Sequence, residues 1–121
     1  MADNVLFVGW GSIARGREEM ASEAFNEVVG IYGRMQQEGR IEGFDIVFLD
    51  PNGSDLEGWF LLHGTAEQLD AVREDPDFRT ALLRATMSVD GLRVIPGLTG
   101  AAIGPQMEQF NSIIAGVPQA G

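Results

Sequence analysis

The only histidine in the chain, His63, is the residue best suited to acid–base chemistry. It ends an apolar run at residues 58–63, and Asp45 lies within the preceding apolar run at residues 44–49. A carboxylate beside an imidazole orients the ring and raises its basicity, which is what a general base near neutral pH requires. We therefore predict His63 and Asp45 as a catalytic pair, with His63 as the base and Asp45 as the group that orients it.

A β-hairpin would bring these two side chains together. Both apolar runs have the composition of strands, and the segment between them, Asp-Pro-Asn-Gly-Ser at residues 50–54, is rich in turn-forming residues. If the turn centres on the Asn-Gly dipeptide, Asp45 lies opposite Leu61. It is then diagonal to His63 on the same face of the hairpin, within reach of its side chain. The competing interpretation is that these polar groups only satisfy one another at an interface.

The elements around this hairpin alternate between strands and helices. Thr65 and Gln68 have the spacing of a capping box, which predicts that a helix begins directly after the second strand of the hairpin. An Asp75-Pro76 step then interrupts this helix and restarts it, because Asp caps a helix well and Pro is tolerated at the first helical position. Further strands are predicted at residues 4–11 and 91–96, and further helices at residues 17–37 and from residue 104.

The order strand, helix, strand, strand, helix, strand, followed by an extra C-terminal helix, is that of an α+β ferredoxin-like fold with an antiparallel sheet. Right-handed crossovers place the four strands in the spatial order four, one, three, two. We interpret residues 1–121 as a single domain, because 121 residues suffice for one core and are too few for two.

Alternation of side chains along the strands predicts two apolar faces of the sheet. The helices are expected to pack on the face that carries Val5, Phe7, Phe44, Ile46, Phe48, Phe60, Leu62, Leu92 and Val94. The opposite face is expected to carry Leu6, Val8, Trp10, Asp45, Val47, Leu49, Glu57, Trp59, Leu61, His63, Arg93 and Ile95. That second face would expose more apolar surface than a monomer usually shows, so we predict a homodimer in which a second copy covers it. The C-terminal helix is an alternative cover for part of it.

A ligand-binding pocket is expected on the second face. The first and third strands are expected to run parallel, which would place Trp10 at the same end of the sheet as His63. The fourth strand would return from that end and bring Arg93 close. Trp10, Trp59 and Arg93 are therefore predicted to bind a small, largely apolar or aromatic molecule beside His63.

These features resemble the dimeric α/β-barrel superfamily, in which two ferredoxin-like sheets face each other. The likeness covers residues 4–96 and rests on the element order and on the segment from Gly58 to Leu83, with its capped helix and its Asp-Pro break. The group includes antibiotic-biosynthesis monooxygenase-like, YCII-related and EthD-like proteins and many uncharacterised members. The resemblance implies a homodimer and, for any chemistry, cofactor-independent oxygenation or proton transfer, as in a monooxygenase or an isomerase. The alternative is a non-catalytic homodimeric interaction module.

The composition limits the partners and cofactors of the protein. A formal charge of −10, with 18 acidic residues against 8 basic ones, argues against binding to nucleic acid or to an anionic membrane. No apolar run approaches membrane-spanning length, and the absence of cysteine makes a reducing cytoplasm the expected location. One histidine and no cysteine leave too few ligands for a transition-metal site, and we expect neither a metal ion nor a cofactor.

Overall fold

The elements follow one another in the order of a ferredoxin-like fold, with an added C-terminal helix. The computed structural model describes residues 3–118. The elements are β1 (Asn4–Trp10), α1 (Glu18–Gln37), β2 (Gly43–Phe48), β3 (Gly58–Gly64), α2 (Ala66–Glu74), α3 (Pro76–Thr86), β4 (Arg93–Leu98), a short 3-10 helix (Gly100–Ala102) and α4 (Ile103–Ala115).

The sheet has the strand order β2-β3-β1-β4, as predicted. The prediction that β1 and β3 run parallel is wrong, because Asn4 lies opposite Gly64 and Trp10 lies opposite Gly58 in an antiparallel pair. The reason is topological. A helical crossover makes β1 parallel to β2, and the hairpin makes β3 antiparallel to β2, so β3 must also be antiparallel to β1.

The two faces of the sheet differ from the prediction at β1. Residues opposite each other in an antiparallel pair share a face, and Leu6 lies opposite Leu62 while Val8 lies opposite Phe60. Leu6, Val8 and Trp10 therefore belong to the face that the helices cover, and the predicted helix-facing residues Val5 and Phe7 of β1 lie on the other face. We call this other side, which no helix of the described chain covers, the open face.

Helix α1 lies across the covered face of the sheet and supplies much of the core. Its apolar stripe buries Ala21, Ala24, Val28, Ile31, Tyr32 and Met35. Glu18 and Glu19 occupy its first turn, where the positive end of the helix dipole favours carboxylates. The predicted helix at residues 17–37 is thus confirmed to within one residue at its beginning.

Helices α2 and α3 are positioned by the two caps that the sequence predicts. The Thr65 side chain accepts a hydrogen bond from the backbone N–H of Gln68, and the Gln68 side chain accepts one from the N–H of Thr65, so α2 begins directly at the end of β3. Asp75 caps α3 through the backbone N–H of Phe78, and its carboxylate also forms an ion pair with Arg40. Both helices pack on the same side of the sheet as α1, because their buried residues belong to the same apolar core.

Helix α4 differs from the other helices because none of its residues is buried in the structure of the single chain. Its exposed apolar side chains include Ile103, Met107, Phe110 and Ile113. Within the described residues, none of the helices is both long enough and apolar enough to span a membrane.

Candidate functional site

The His63 and Asp45 side chains are in contact on the open face. Asp45 lies opposite Leu61 in the β2–β3 pair, as the hairpin register predicts, and is therefore diagonal to His63. The distance between His63 Nε2 and Asp45 Oδ2 is 2.7 Å. The His63 side chain is 31% exposed and that of Asp45 is 63% exposed, so the pair faces outward in the single chain.

The remaining residues of the predicted pocket lie away from this pair. Trp10 lies at the other end of the sheet from His63, because the β1–β3 pairing is antiparallel and Trp10 is opposite Gly58. The register of that pairing places Trp10 on the covered face. Trp59 on β3 and Arg93 on β4 both lie opposite Gly9 of β1, which is the central strand of the three. These two residues share the open face with His63 but lie toward the other end of the sheet. The prediction that Trp10, Arg93 and His63 line one pocket is therefore wrong.

Arg93 is held in place by its local loop. Its Nε donates a hydrogen bond to the carbonyl oxygen of Gly91 at 2.9 Å, and its Nη2 donates to the carbonyl oxygen of Asp55 at 3.2 Å. The ring of Trp59 packs against that of Phe7, with 5.6 Å between centroids. Arg93 and Trp59 are thus both held by contacts with neighbouring strands and loops of the same chain.

The covered face contains a cavity of about 240 Å³ between the sheet and helices α1 and α3. The side chains that line it are small or apolar with few exceptions. They are Val8, Trp10, Ile13, Ala21, Ser22, Ala24, Phe25, Val28, Tyr32, Phe48, Phe60, Leu82, Ala85, Ser88, Val89 and Leu92. None of them is charged, so the cavity offers an almost entirely apolar environment.

Aromatic rings form one wall of this cavity. The ring centroids of Trp10 and Phe60 are 5.4 Å apart, and those of Phe25 and Phe60 are also 5.4 Å apart. Phe48 packs edge-on against Trp10, with 6.0 Å between the ring centroids. Phe48 is 67% exposed and Ile13 is 51% exposed. The exposed residues mark the mouth of the cavity, and the wall of stacked and tilted rings leads inward from it.

Tyr32 is among the residues that line the cavity, and 1% of its surface is exposed. Its hydroxyl oxygen has no hydrogen-bond partner among the described residues. Burial raises the pKa of this phenol far above its usual value, so the group stays protonated at neutral pH. Buried hydroxyls in folded proteins are nearly always paired, and an unpaired one is therefore informative.

The sequence prediction missed the cavity for a physical reason. Its volume arises where small side chains on the helices, including Ala21, Ala24 and Ala85, face large rings on the sheet. A helical stripe of alanines opposite a strand of aromatic residues is the signal that could have located it. That signal becomes visible only when Trp10 is assigned to the correct face.

The cavity and the His63–Asp45 pair lie on opposite faces of the sheet. A molecule in the cavity is thus separated from His63 by the backbone of the sheet, and the two features cannot act on one small molecule at once.

The polar groups of the cavity are few: Ser88 Oγ donates to the carbonyl oxygen of Ala85 at 3.2 Å, and Ser22 lies at the exposed surface. Residues 3–118 contain no group of three or more histidine, cysteine or acidic residues placed to hold a metal ion.

Comparison with known proteins identifies the fold. The sequence matches no protein-family model and no curated protein. Among solved structures, a dimeric ferredoxin-like protein of unknown function from Jannaschia sp. CCS1 has a TM-score of 0.61 at 18% identity, over 78% of this chain and 96% of that chain. The chain has a ferredoxin-like fold.

Two further similar structures have descriptions that name an activity. One is described as a candidate antibiotic biosynthesis monooxygenase from Chloroflexus aurantiacus J-10-fl, with a TM-score of 0.54 and 11% identity over 81% of this chain and 94% of that chain. The other is SnoaB, a cofactor-independent oxygenase from Streptomyces nogalater, with a TM-score of 0.53 and 17% identity over 83% of this chain and 94% of that chain. These similarities confirm the ferredoxin-like fold that the sequence predicts.

Proposed function

We propose that this protein binds a small apolar or aromatic molecule in the cavity between the sheet and helices α1 and α3. The observation that carries the proposal is the cavity of about 240 Å³, which is open at Phe48 and Ile13 and is lined by uncharged side chains. Protein interiors are usually packed with few voids larger than a water molecule. An open volume of this size forfeits packing contacts in the empty protein, and an apolar ligand would restore them.

The experiment that tests this proposal fills the cavity and measures binding of naphthalene by NMR titration. Ala85 lines the cavity, so Ala85→Leu places a larger side chain in the ligand volume. Ala71, on the exposed surface of α2, provides the matched control Ala71→Leu. We expect equal affinity in the wild type and Ala71→Leu and at least roughly tenfold weaker binding in Ala85→Leu, since steric exclusion removes the apolar contacts. Absence of naphthalene binding to the wild type, or equal binding by Ala85→Leu, would contradict the proposal.

We also propose that the protein is a homodimer joined through the open face. Trp59 and Leu61 are half-buried on this face and Ile95 is 51% exposed, so a second sheet would bury their remaining apolar surface. Helix α4, which follows β4 after the short 3-10 helix, adds further exposed apolar side chains. The Jannaschia protein is described as dimeric, which supports a homodimer for this chain.

A second candidate function is proton abstraction by His63 from a molecule held between two such sheets. The observation that favours it is the 2.7 Å contact between His63 Nε2 and Asp45 Oδ2. A carboxylate that accepts a hydrogen bond from Nε2–H holds the ring in the tautomer whose Nδ1 lone pair is free to take a proton from the substrate. The non-catalytic alternative is that the pair only satisfies polar groups within the dimer interface. His63→Ala separates the two, because it abolishes turnover in the first case and changes only dimer stability in the second.

A further inference from the structure

We infer that the occupant of the cavity is a molecule whose buried part is hydrocarbon alone, and that any polar group it carries stays at the mouth. This inference rests on the binding function proposed above and adds the chemical class of the ligand and its orientation. A two-ring aromatic molecule with no polar group, or with one, fits this description. A molecule with a polar group at each end does not.

The polar atoms of the buried lining are not available to a ligand. Almost none of the accessible surface of the cavity belongs to nitrogen or oxygen atoms. The Tyr32 hydroxyl is almost completely enclosed by protein atoms, and the buried hydroxyl of Ser88 already donates to the carbonyl oxygen of Ala85. A ligand hydroxyl in this part of the cavity would therefore lose its hydrogen bonds to water and gain none from the lining that the structure describes.

The interior of the cavity therefore selects against a polar group on the buried part of the ligand. Moving a hydroxyl out of water without a compensating hydrogen bond weakens binding by roughly tenfold or more. A methyl group of similar size in the same place would instead gain from leaving water. The two groups fill nearly the same volume, so the difference between them reports the polarity of the surroundings rather than their shape.

The mouth of the cavity, in contrast, is in contact with water. Phe48, Ile13 and Ser22 line the cavity and are all exposed, whereas Val8 and Phe60 on the sheet are buried. A ligand that packs its hydrocarbon part against Val8 and Phe60 keeps one polar group at the mouth, where water satisfies it. One polar group is therefore tolerated, and a second at the far end of the molecule is not.

The lining and the volume favour a flat ring system for the buried part. The rings of Trp10, Phe25 and Phe60 form a wall on which such a system can stack or tilt. A protein cavity of about 150 Å³ can bind benzene. The present cavity, at about 240 Å³, leaves room for a second fused ring. Naphthalenes substituted at positions 2 and 6 suit the test, because these positions lie at the two ends of the molecule.

The test compares methyl and hydroxyl groups at one end and at both ends of naphthalene. Dissociation constants are measured for the wild type by NMR titration at neutral pH. The probes are 2-methylnaphthalene, 2-naphthol, 2,6-dimethylnaphthalene and 2,6-dihydroxynaphthalene. We expect 2-naphthol to bind within about threefold of 2-methylnaphthalene, since its hydroxyl stays in water. We expect 2,6-dihydroxynaphthalene to bind at least roughly tenfold more weakly than 2,6-dimethylnaphthalene, since one hydroxyl must be buried.

Two variants show whether the probes occupy the cavity. Ala85→Leu places a larger side chain in the ligand volume and should weaken binding of both methylnaphthalenes. Ala71→Leu, on the exposed surface of α2, should leave their dissociation constants unchanged. Binding that Ala85→Leu does not weaken would place the probes elsewhere on the protein, which overturns both the inference and the binding function on which it rests.

Three further results would overturn the inference, and they are distinguishable. If 2,6-dihydroxynaphthalene binds as tightly as its dimethyl counterpart, the interior supplies a hydrogen-bond partner, although the cavity still binds aromatic molecules. If 2-naphthol is weakened as strongly as 2,6-dihydroxynaphthalene, the mouth does not accept a polar group, and the proposed orientation is wrong. If the wild type binds none of the probes, the binding function fails, and the inference fails with it.

Discussion

His63 Nε2 and Asp45 Oδ2 lie 2.7 Å apart across two neighbouring strands, on the face of the sheet that no helix of the described chain covers. The contact is an exposed one in the single chain, since 63% of the Asp45 side chain remains accessible. Exposed ion pairs contribute little to the stability of a folded protein. Whatever the pair contributes to the protein therefore has to be sought in chemistry or in assembly rather than in the folding of one chain.

The first prediction concerns this pair. Asp45→Asn should change the free energy of unfolding of the monomer by less than about 1 kcal/mol, because the contact is largely solvated. The measurement is urea denaturation at a protein concentration where the chain is monomeric. Asp55→Asn is the matched control, since Asp55 is 88% exposed and forms a longer contact of 3.4 Å with Arg93. A loss several times larger in Asp45→Asn than in Asp55→Asn would show that the pair stabilises the fold.

The second prediction is that Tyr32→Phe stabilises the ligand-free protein. The substitution removes a buried hydroxyl that has no partner among the described residues and keeps the ring contacts with Phe44 and Phe60. The expected gain is about 1–3 kcal/mol in the free energy of unfolding, the usual cost of an unsatisfied buried polar group. Urea denaturation measures it. A loss of stability would mean that the hydroxyl is hydrogen-bonded in the folded protein.

The third prediction concerns acid stability at the beginning of α3. Partial burial alone would raise the pKa of Asp75, but hydrogen bonds from Arg40 and from the N–H of Phe78 outweigh it and hold the pKa below its usual value. A carboxyl with a lowered pKa in the folded state stabilises the protein above its unfolded-state pKa of about 3.9. This contribution is lost as the pH falls from that value through the folded-state pKa.

Asp75→Asn tests the third prediction, because it keeps a capping side chain and removes the titrating group. Urea midpoints measured between pH 7 and pH 2 should fall less steeply for Asp75→Asn than for the wild type in the acid range. Asp77→Asn serves as the control, since Asp77 is exposed in the same first turn. Equal acid profiles for the wild type and Asp75→Asn would refute the assigned role of the Arg40–Asp75 pair.

The fourth prediction concerns assembly. Ile95→Glu places a charge on the open face, where it would be buried without a partner in the proposed dimer, and it should shift the protein toward monomer. Leu83→Glu introduces the same charge at a position on α3 that is 69% exposed, and it should leave the assembly unchanged. Native mass spectrometry distinguishes a mass of 13.1 kDa from about twice that value. A wild-type monomer, or equal assembly of both variants, would rule out the open face as the interface.

Much of the fold could be predicted from local sequence signals. The capping box at Thr65 and Gln68 and the Asp75 cap are determined by neighbouring residues, and both are present in the structure as predicted. The hairpin register follows from turn chemistry in the same way, and it correctly placed Asp45 beside His63. These features depend on contacts between residues that are close in the chain.

The features that were predicted wrongly depend on distant parts of the chain. Val5, Leu6, Phe7 and Val8 are all apolar, so β1 has no alternation that distinguishes its two faces. The sequence of β1 therefore did not determine the face of Trp10. The end of the sheet at which Trp10 lies depended on the direction of β3 relative to β1, which was assigned incorrectly. The cavity depends on how three separate elements meet, and no single segment of the sequence indicates it.

The most direct test of the account uses the two tryptophans of the chain, which lie on opposite faces of the sheet. Trp10 lines the cavity, whereas Trp59 lies on the open face. Their indole N–H signals can be followed separately by NMR while naphthalene is added. We predict that the Trp10 signal shifts and saturates while the Trp59 signal stays in place. A shift confined to Trp59, or no shift of either signal, would contradict the claim that the protein binds its ligand between the sheet and the helices.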